Sequence, residues 1–155
     1  MKKVLIALDY DPTSKTVAEQ GYSIAQSMDA VTILLHVITD PVYYASSQYS
    51  PIIGFEGYME MEPFQFDTIE GVRNASEHFL DKYKKHLGNK TIETMVMEGD
   101  FADSILAAAK GVHADMIVMG SHSHKWLENI VIGSVTEKVL RHTKLPLLII
   151  PTKKH

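Results

Sequence analysis

The chain contains no cysteine. Disulfide frameworks, thiolate zinc sites, iron–sulfur clusters and cysteine nucleophiles are therefore excluded together. An excess of basic charge is lacking too: 15 Lys and Arg stand against 19 Asp and Glu, a formal net charge of −4, with a pI near 6.0. That balance argues against a broad electrostatic grip on nucleic acid. Long apolar runs are missing as well. Val4 to Leu8 is cut off by Asp9, which is too short for a signal-peptide core, and Leu145 to Ile150 is interrupted by Pro146. Both fall far below the ~20 residues that span a bilayer, so the expectation is a cytoplasmic protein with no membrane partner. Two catalytic signatures are also absent: the phosphate-binding G-x-x-x-x-G-K-[ST] loop and the G-x-S-x-G nucleophile elbow.

What is present is an ordinary globular composition, 155 residues with 45% apolar and 22% charged. This predicts one domain over 1–155 with one sizeable core. Val4-Leu5-Ile6-Ala7-Leu8 is an unbroken apolar run, as in a strand buried on both faces. Asp11 is placed to cap a helix with Pro12 at its first position. Val17, Ala18, Gly21, Ile24, Ala25 and Met28 then recur at helical spacing. Val31 to Ile38 reads as a second strand. Thr68 to Leu87 carries an apolar helical stripe and stops at Gly88-Asn89. Thr91 to Met97 alternates weakly, as at a sheet edge. Gly99-Asp100 opens a third helix, and Met116 to Met119 is a fourth strand. Ser134-x-x-Glu137 has the form of a capping box at a fourth helix, and Leu147 to Ile150 is a fifth strand. Strands alternating with helices imply an open, parallel, doubly wound α/β sheet with right-handed crossovers.

Residues 40–64 do not fit this alternation, and an irregular stretch of that length inside a compact domain is uncommon. Tyr43, Tyr44, Tyr49, Phe55, Tyr58, Met59 and Met61 fall there. They either pack the loop onto the domain or form a lid or partner surface.

In such a sheet, ligands bind beyond the carboxyl ends of the strands, where the strand order reverses. Asp9 follows the first strand. Gly120-Ser121-His122-Ser123 follows the fourth and leads to Gly133-Ser134 at the last helix. A helix start offers free backbone N–H groups and the positive end of the helix dipole, which together suit an anion. Glycine at 133 allows close approach, the Ser134 hydroxyl adds a donor, and Gly120 lets the chain turn sharply past the strand end. A plain helix cap explains Gly133-Ser134 equally well. Asp9 would repel a phosphate and suits the nucleoside end of a nucleotide. His122-x-His124 invites a metal reading, but spacing supplies no further ligands. His36, in a buried strand, reads as a core histidine with its polar atoms satisfied.

The spacing Gly120-x-x-Ser123, nine residues, then Gly133-Ser134 resembles the nucleotide-binding signature G-x-x-G, nine residues, G-[S/T] of the universal stress protein family. Asp115 to His122, Gly133 to Arg141, Leu145 to Pro151 and Val4 to Asp9 are similar to the family's flanking strands and helix. The resemblance runs over essentially the whole chain. It implies a Rossmann-like, three-layer fold of the adenine-nucleotide α-hydrolase kind with a five-stranded parallel sheet, usually homodimeric through the C-terminal strand. It further implies that Asp9 and Val37 contact adenine, that Met119 and Gly120 lie near the ribose, and that Ser123, Gly133, Ser134 and Val135 surround the phosphates of ATP or AMP, with or without Mg²⁺. Ser123 departs from the pattern, which has glycine there. A requirement for positive φ would cost about 1 kcal/mol with serine; a requirement only for space would let the hydroxyl bond a phosphate.

Three functional readings follow. The first is an adenine-nucleotide-binding stress-response or signalling module. The second is a nucleotide-free dimeric interaction protein of the same fold. The third is a slow ATP hydrolase, for which no catalytic residue, general base or metal pair can be assigned.

Overall fold

A computed structural model describes residues 1–39, 69–121 and 133–152. Strands and helices alternate as β1 (Lys3–Ala7), α1 (Ser14–Ser27), β2 (Val31–Ile38), α2 (Ile69–Leu87), β3 (Glu93–Glu98), α3 (Phe101–Gly111), β4 (Met116–Gly120), α4 (Ser134–His142) and β5 (Leu147–Ile150). The sheet order is β3-β2-β1-β4-β5, and every neighbouring pair is parallel. The expected 40–64 loop, Ser123 and the His122-x-His124 pair lie outside the described residues.

Strand composition sets the layering. Alternate residues of a strand face opposite sides of the sheet, and these strands are apolar on both. Val4, Ile6, Leu34, Ile38, Val118 and Ile150 pack with Val17, Ala18 and Ala25 of α1 and with Val72, Phe79, Leu80 and Tyr83 of α2. Leu5, Ile33, Leu35, Val37, Ile117 and Met119 pack on the other face with Ala102, Ile105, Ala108 and Ala109 of α3 and with Val139 of α4. This is the three-layer arrangement that right-handed crossovers demand when the chain first winds one way from β1 and then crosses to wind the other. β3 is an edge strand, which explains its weak alternation.

α1 lies close to the sheet because residue 21 is glycine. A Cβ there would stand 2.9 Å from Ile6 Cδ1 and 3.1 Å from Val118 Cγ1. Ile24, counted in the apolar stripe of this helix, is 38% exposed instead.

Two helix starts depart in detail from expectation. Asp11 makes the side-chain bond expected of a cap followed by Pro12, but the regular helix begins later. The Asp11 carboxylate accepts from the amide and hydroxyl of Thr13 at 2.9 and 2.6 Å, an Asx turn that delays the helix to Ser14, with Thr13 at the N-cap. Ser134 does not form a capping box. The N-cap is Gly133 in extended conformation, and no side chain caps the helix. The Glu137 carboxylate bonds Arg141 at 2.7 Å, one turn ahead, rather than reaching back to the helix start.

The start of α3 matches. The Asp100 carboxylate caps the helix by accepting from the Asp103 amide at 3.0 Å, and it also meets Lys138 Nζ of α4 at 3.1 Å. The Asp103 amide and then Lys138 hold the Asp100 carboxyl below its ordinary range. A depressed folded value means that the stabilisation is present above the unfolded carboxylate pKa of about 3.9 and is lost as pH falls through the folded value. Asp100→Ala is expected to cost about 1 kcal/mol at pH 7 in urea unfolding, with the gap to wild type narrowing as pH falls below the unfolded carboxylate value of about 3.9.

Candidate functional site

The strand order reverses between β1 and β4. The connection after β1 leaves toward the α1 face, whereas α4 returns on the opposite face, so a crevice opens at the carboxyl ends of these two strands. A cavity of about 240 Å³ fills it, lined at the strand ends by Ala7, Leu8, Asp9, Met119 and Gly120. Leu35 and Val37 of β2, Phe101 and Ile105 of α3, and Val17 of α1 supply apolar wall; Thr13 and Ser14 close one side, and Ser134, Val135 and Thr136 of α4 the other.

Six of the eight residues singled out from the sequence (Asp9, Val37, Met119, Gly120, Ser134 and Val135) therefore line one cleft. Gly133 sits immediately beside it as the N-cap of α4. Ser123 lies outside the described residues.

Each wall is held by identifiable bonds. Leu8 continues the β1–β2 ladder one residue past the strand, its amide donating to the Leu35 carbonyl at 2.8 Å. The buried His36 ring lies on the opposite face of the sheet and bonds the Leu8 carbonyl through Nδ1 at 2.8 Å, so the expected core histidine has a positioning contact. Tyr10 is buried and meets Ser76 Oγ at 2.9 Å; burial raises its phenol pKa and keeps it neutral. Between these anchors, Asp9 Oδ1 accepts from the Asp11 amide at 3.0 Å and from Ser14 Oγ at 3.1 Å, and the Asp9 carbonyl also accepts from Ser14 Oγ. The carboxylate is thus oriented by its own turn and half-buried at the cleft.

Gly120 plays a different part from the expected sharp turn. It is the last residue of β4, and its φ lies outside the left-handed region. A Cβ at this position would stand 3.0 Å from Val17 Cγ2 and 3.2 Å from Thr152 Cγ2, so any side chain here would need these two neighbours to give way by a few tenths of an ångström. Its carbonyl accepts from Thr136 Oγ1 at 2.9 Å.

Ser121 is the hub that joins β4, β5 and the start of α4. Its amide donates to the Ile150 carbonyl at 2.9 Å, and its carbonyl accepts from the Gly133 amide at 2.8 Å. Its hydroxyl accepts from the Thr152 amide at 3.1 Å. The Gly133 amide is therefore spent on the scaffold, contrary to its expected place among the free donors. The donors begin one residue later. Among the described residues no group accepts from the amides of Ser134, Val135 or Thr136, as the geometry of a first helical turn dictates.

Sequence reasoning missed Thr13, Ser14, Phe101, Ile105, Thr136 and Thr152. Their signals, a hydroxyl after a strand or an apolar residue opening a helix, are too common to stand out without the topology.

The family model described as the universal stress protein family matches residues 1–151. The chain belongs to the universal stress protein family. Universal stress protein MJ0531 of Methanocaldococcus jannaschii is 30% identical over 99% of this chain and 84% of its own length. MJ0577 of the same organism is 25% identical over 98% and 96%. Universal stress protein A of Escherichia coli K12 is 24% identical over 98% and 95%. The solved structure of MJ0577 superposes with a TM-score of 0.72 at 23% identity over 99% and 98% of the two chains. A universal stress protein solved in complex with cAMP superposes with a TM-score of 0.62 at 21% identity over 98% of each chain. These structural likenesses establish the shared fold. Among the described residues no helix is long and apolar enough to cross a membrane.

Gly120→Ala is expected to lower stability by about 1–3 kcal/mol, since Val17 is buried and stiff at χ1. Urea unfolding should show a reduced midpoint at unchanged slope; an unaltered midpoint would refute the close-packing account.

Proposed function

We propose that this chain is a cytoplasmic adenine-nucleotide-binding module of stress response or signalling, with ATP or AMP in the cleft at the β1–β4 reversal. One observation carries the reading. An apolar cleft and a set of helix-start amides with no protein acceptor among the described residues meet at the reversal point of the sheet. Apolar walls suit a nucleobase, and amides at the positive end of a helix suit its phosphates. In this reading Asp9 and Val37 face the adenine, Met119 and Gly120 the ribose, and Ser134 and Val135 the phosphates, with Ser123 and Gly133 beside them. Mg²⁺, where ATP brings it, is held mainly by phosphate and water; among the described residues no group of three or more His, Asp and Glu could hold an ion. The cAMP complex of a relative with the same fold supports a nucleotide as the ligand class.

The reading extends to a homodimer through β5. That strand is at the sheet edge, and Leu147, Leu148 and Ile149 are only partly covered. A bare apolar edge invites pairing with a second copy. A nucleotide-free dimeric interaction protein is the competing reading, favoured by the withdrawal of the Gly133 amide into the scaffold.

Calorimetric titration with ATP and with AMP separates the two. Binding should register as heat and as a rise in Tm, since ligand at 100-fold its Kd stabilises by about 2.7 kcal/mol. No heat and no thermal shift at millimolar nucleotide would overturn the nucleotide reading. Sedimentation at micromolar protein is expected to give a dimer, and a monomer would overturn the β5 interface.

A further inference from the structure

α4 begins without a side-chain cap, because its N-cap is glycine. Its first turn carries the amides of Ser134 and Val135 to the cleft wall, and whether those amides can serve one ligand depends on how firmly the turn is aimed. Two bonds tie this helix start to the end of β4. The first is the Gly133 amide to the Ser121 carbonyl, at 2.8 Å. The second comes from Thr136, whose hydroxyl donates to the Gly120 carbonyl at 2.9 Å across 16 residues of chain.

Inside a helix a threonine hydroxyl commonly bonds back to a carbonyl of the preceding turn. Thr136 lies in the first turn, where no full helical turn precedes it. Here the hydroxyl leaves the helix for the neighbouring strand. Thr136 is 1% exposed, and a buried hydroxyl is retained where it has a partner to satisfy. The acceptor is the carbonyl of the residue whose missing Cβ lets Val17 and Thr152 close on the strand end. One atom of β4 thus receives the helix start, and the same residue lines the cleft.

We propose that Thr136 is the positioning residue of the phosphate-binding end: its hydroxyl, bonded to the Gly120 carbonyl, aims the Ser134 and Val135 amides into the cleft. This rests on the nucleotide reading above. A hydrogen bond between a helix amide and a phosphate weakens steeply once the donor swings off line, so a small tilt of the first turn is felt by the phosphates. The base, held against Val37, Ile105 and Met119 on other elements, does not feel it.

The test is titration of wild type, Thr136→Val and Thr136→Ser with ATP, AMP and adenosine. Valine keeps the shape and loses the donor; serine keeps the donor. Thr136→Val is expected to weaken ATP and AMP about tenfold, a loss of one aimed hydrogen bond, while adenosine binds as in wild type. Thr136→Ser should restore the nucleotide affinities. Equal affinities for ATP in wild type and Thr136→Val overturn the proposal. So does an equal loss for adenosine, which would mark Thr136 as a purely structural residue. If Thr136→Val does not fold, Thr136→Ala removes the same hydroxyl with less bulk and is read the same way. Failure of wild type to bind any of the three ligands would instead refute the nucleotide reading, and the positioning role would fall with it.

Discussion

The reversal of winding between β1 and β4 is the constraint from which the rest of the molecule follows. Right-handed crossovers force α1 and α2 onto one face of the sheet and α3 and α4 onto the other once the chain crosses β1. Adjacent parallel strands are then left with connections departing in opposite directions, and no helix among the described residues covers their carboxyl ends. The cleft is the unfilled remainder of a packing problem. Close packing elsewhere keeps it open and shaped: Gly21 lets α1 sit on Ile6 and Val118, and Gly120 lets Val17 reach the cleft floor.

Polar side chains do their structural work around that gap. On one side, Asp9, Asp11, Thr13 and Ser14 satisfy one another in a compact turn. On the other, Ser121, Thr136 and Thr152 bind the ends of β4, α4 and β5 together. His36 and Tyr10 contribute from beneath the sheet, where their polar atoms meet Leu8 and Ser76. A site whose floor is buried and whose rims are cross-bonded loses little conformational freedom when a ligand arrives.

Strands β2 and β5 are legible in the sequence to the residue, because β-branched and aliphatic runs bounded by turn residues have few other uses. The layering follows once strands and helices are seen to alternate. The helix starts are less legible. Ser134-x-x-Glu137 has the spacing of a capping box, but glycine is also a competent N-cap, and Gly133 in extended geometry moves the helix start one residue upstream. Asp11-Pro12 has the form of a cap followed by a first helical residue, and the Asp11 carboxylate does accept from the Thr13 amide and hydroxyl, but the regular helix begins only at Ser14. Gly120 lines the cleft, as its place at a strand end suggests, but its close packing is not legible, because only neighbours distant in sequence, Val17 and Thr152, reveal how tightly a side chain would sit. Thr136 and Ser121 show the same limit, since their partners are defined by the crossing of elements and by no local pattern.

The net charge of −4 then bears on the site more sharply than a sum of charges suggests. A polyanion bound by this chain would meet a repulsive long-range field, screened beyond about 8–10 Å at physiological salt. Attraction must therefore come from groups at contact. Helix-start amides act at that range: they need no counter-charge, and their effect falls off within one turn. A contribution of roughly 0.3–2 kcal/mol from such a helix end is too small to hold a nucleotide alone. Most of the affinity would then have to come from burying a base against Leu35, Val37, Phe101, Ile105 and Met119. On that division of labour the apolar cleft would supply strength, while the amides of α4 would decide which phosphorylated forms are retained.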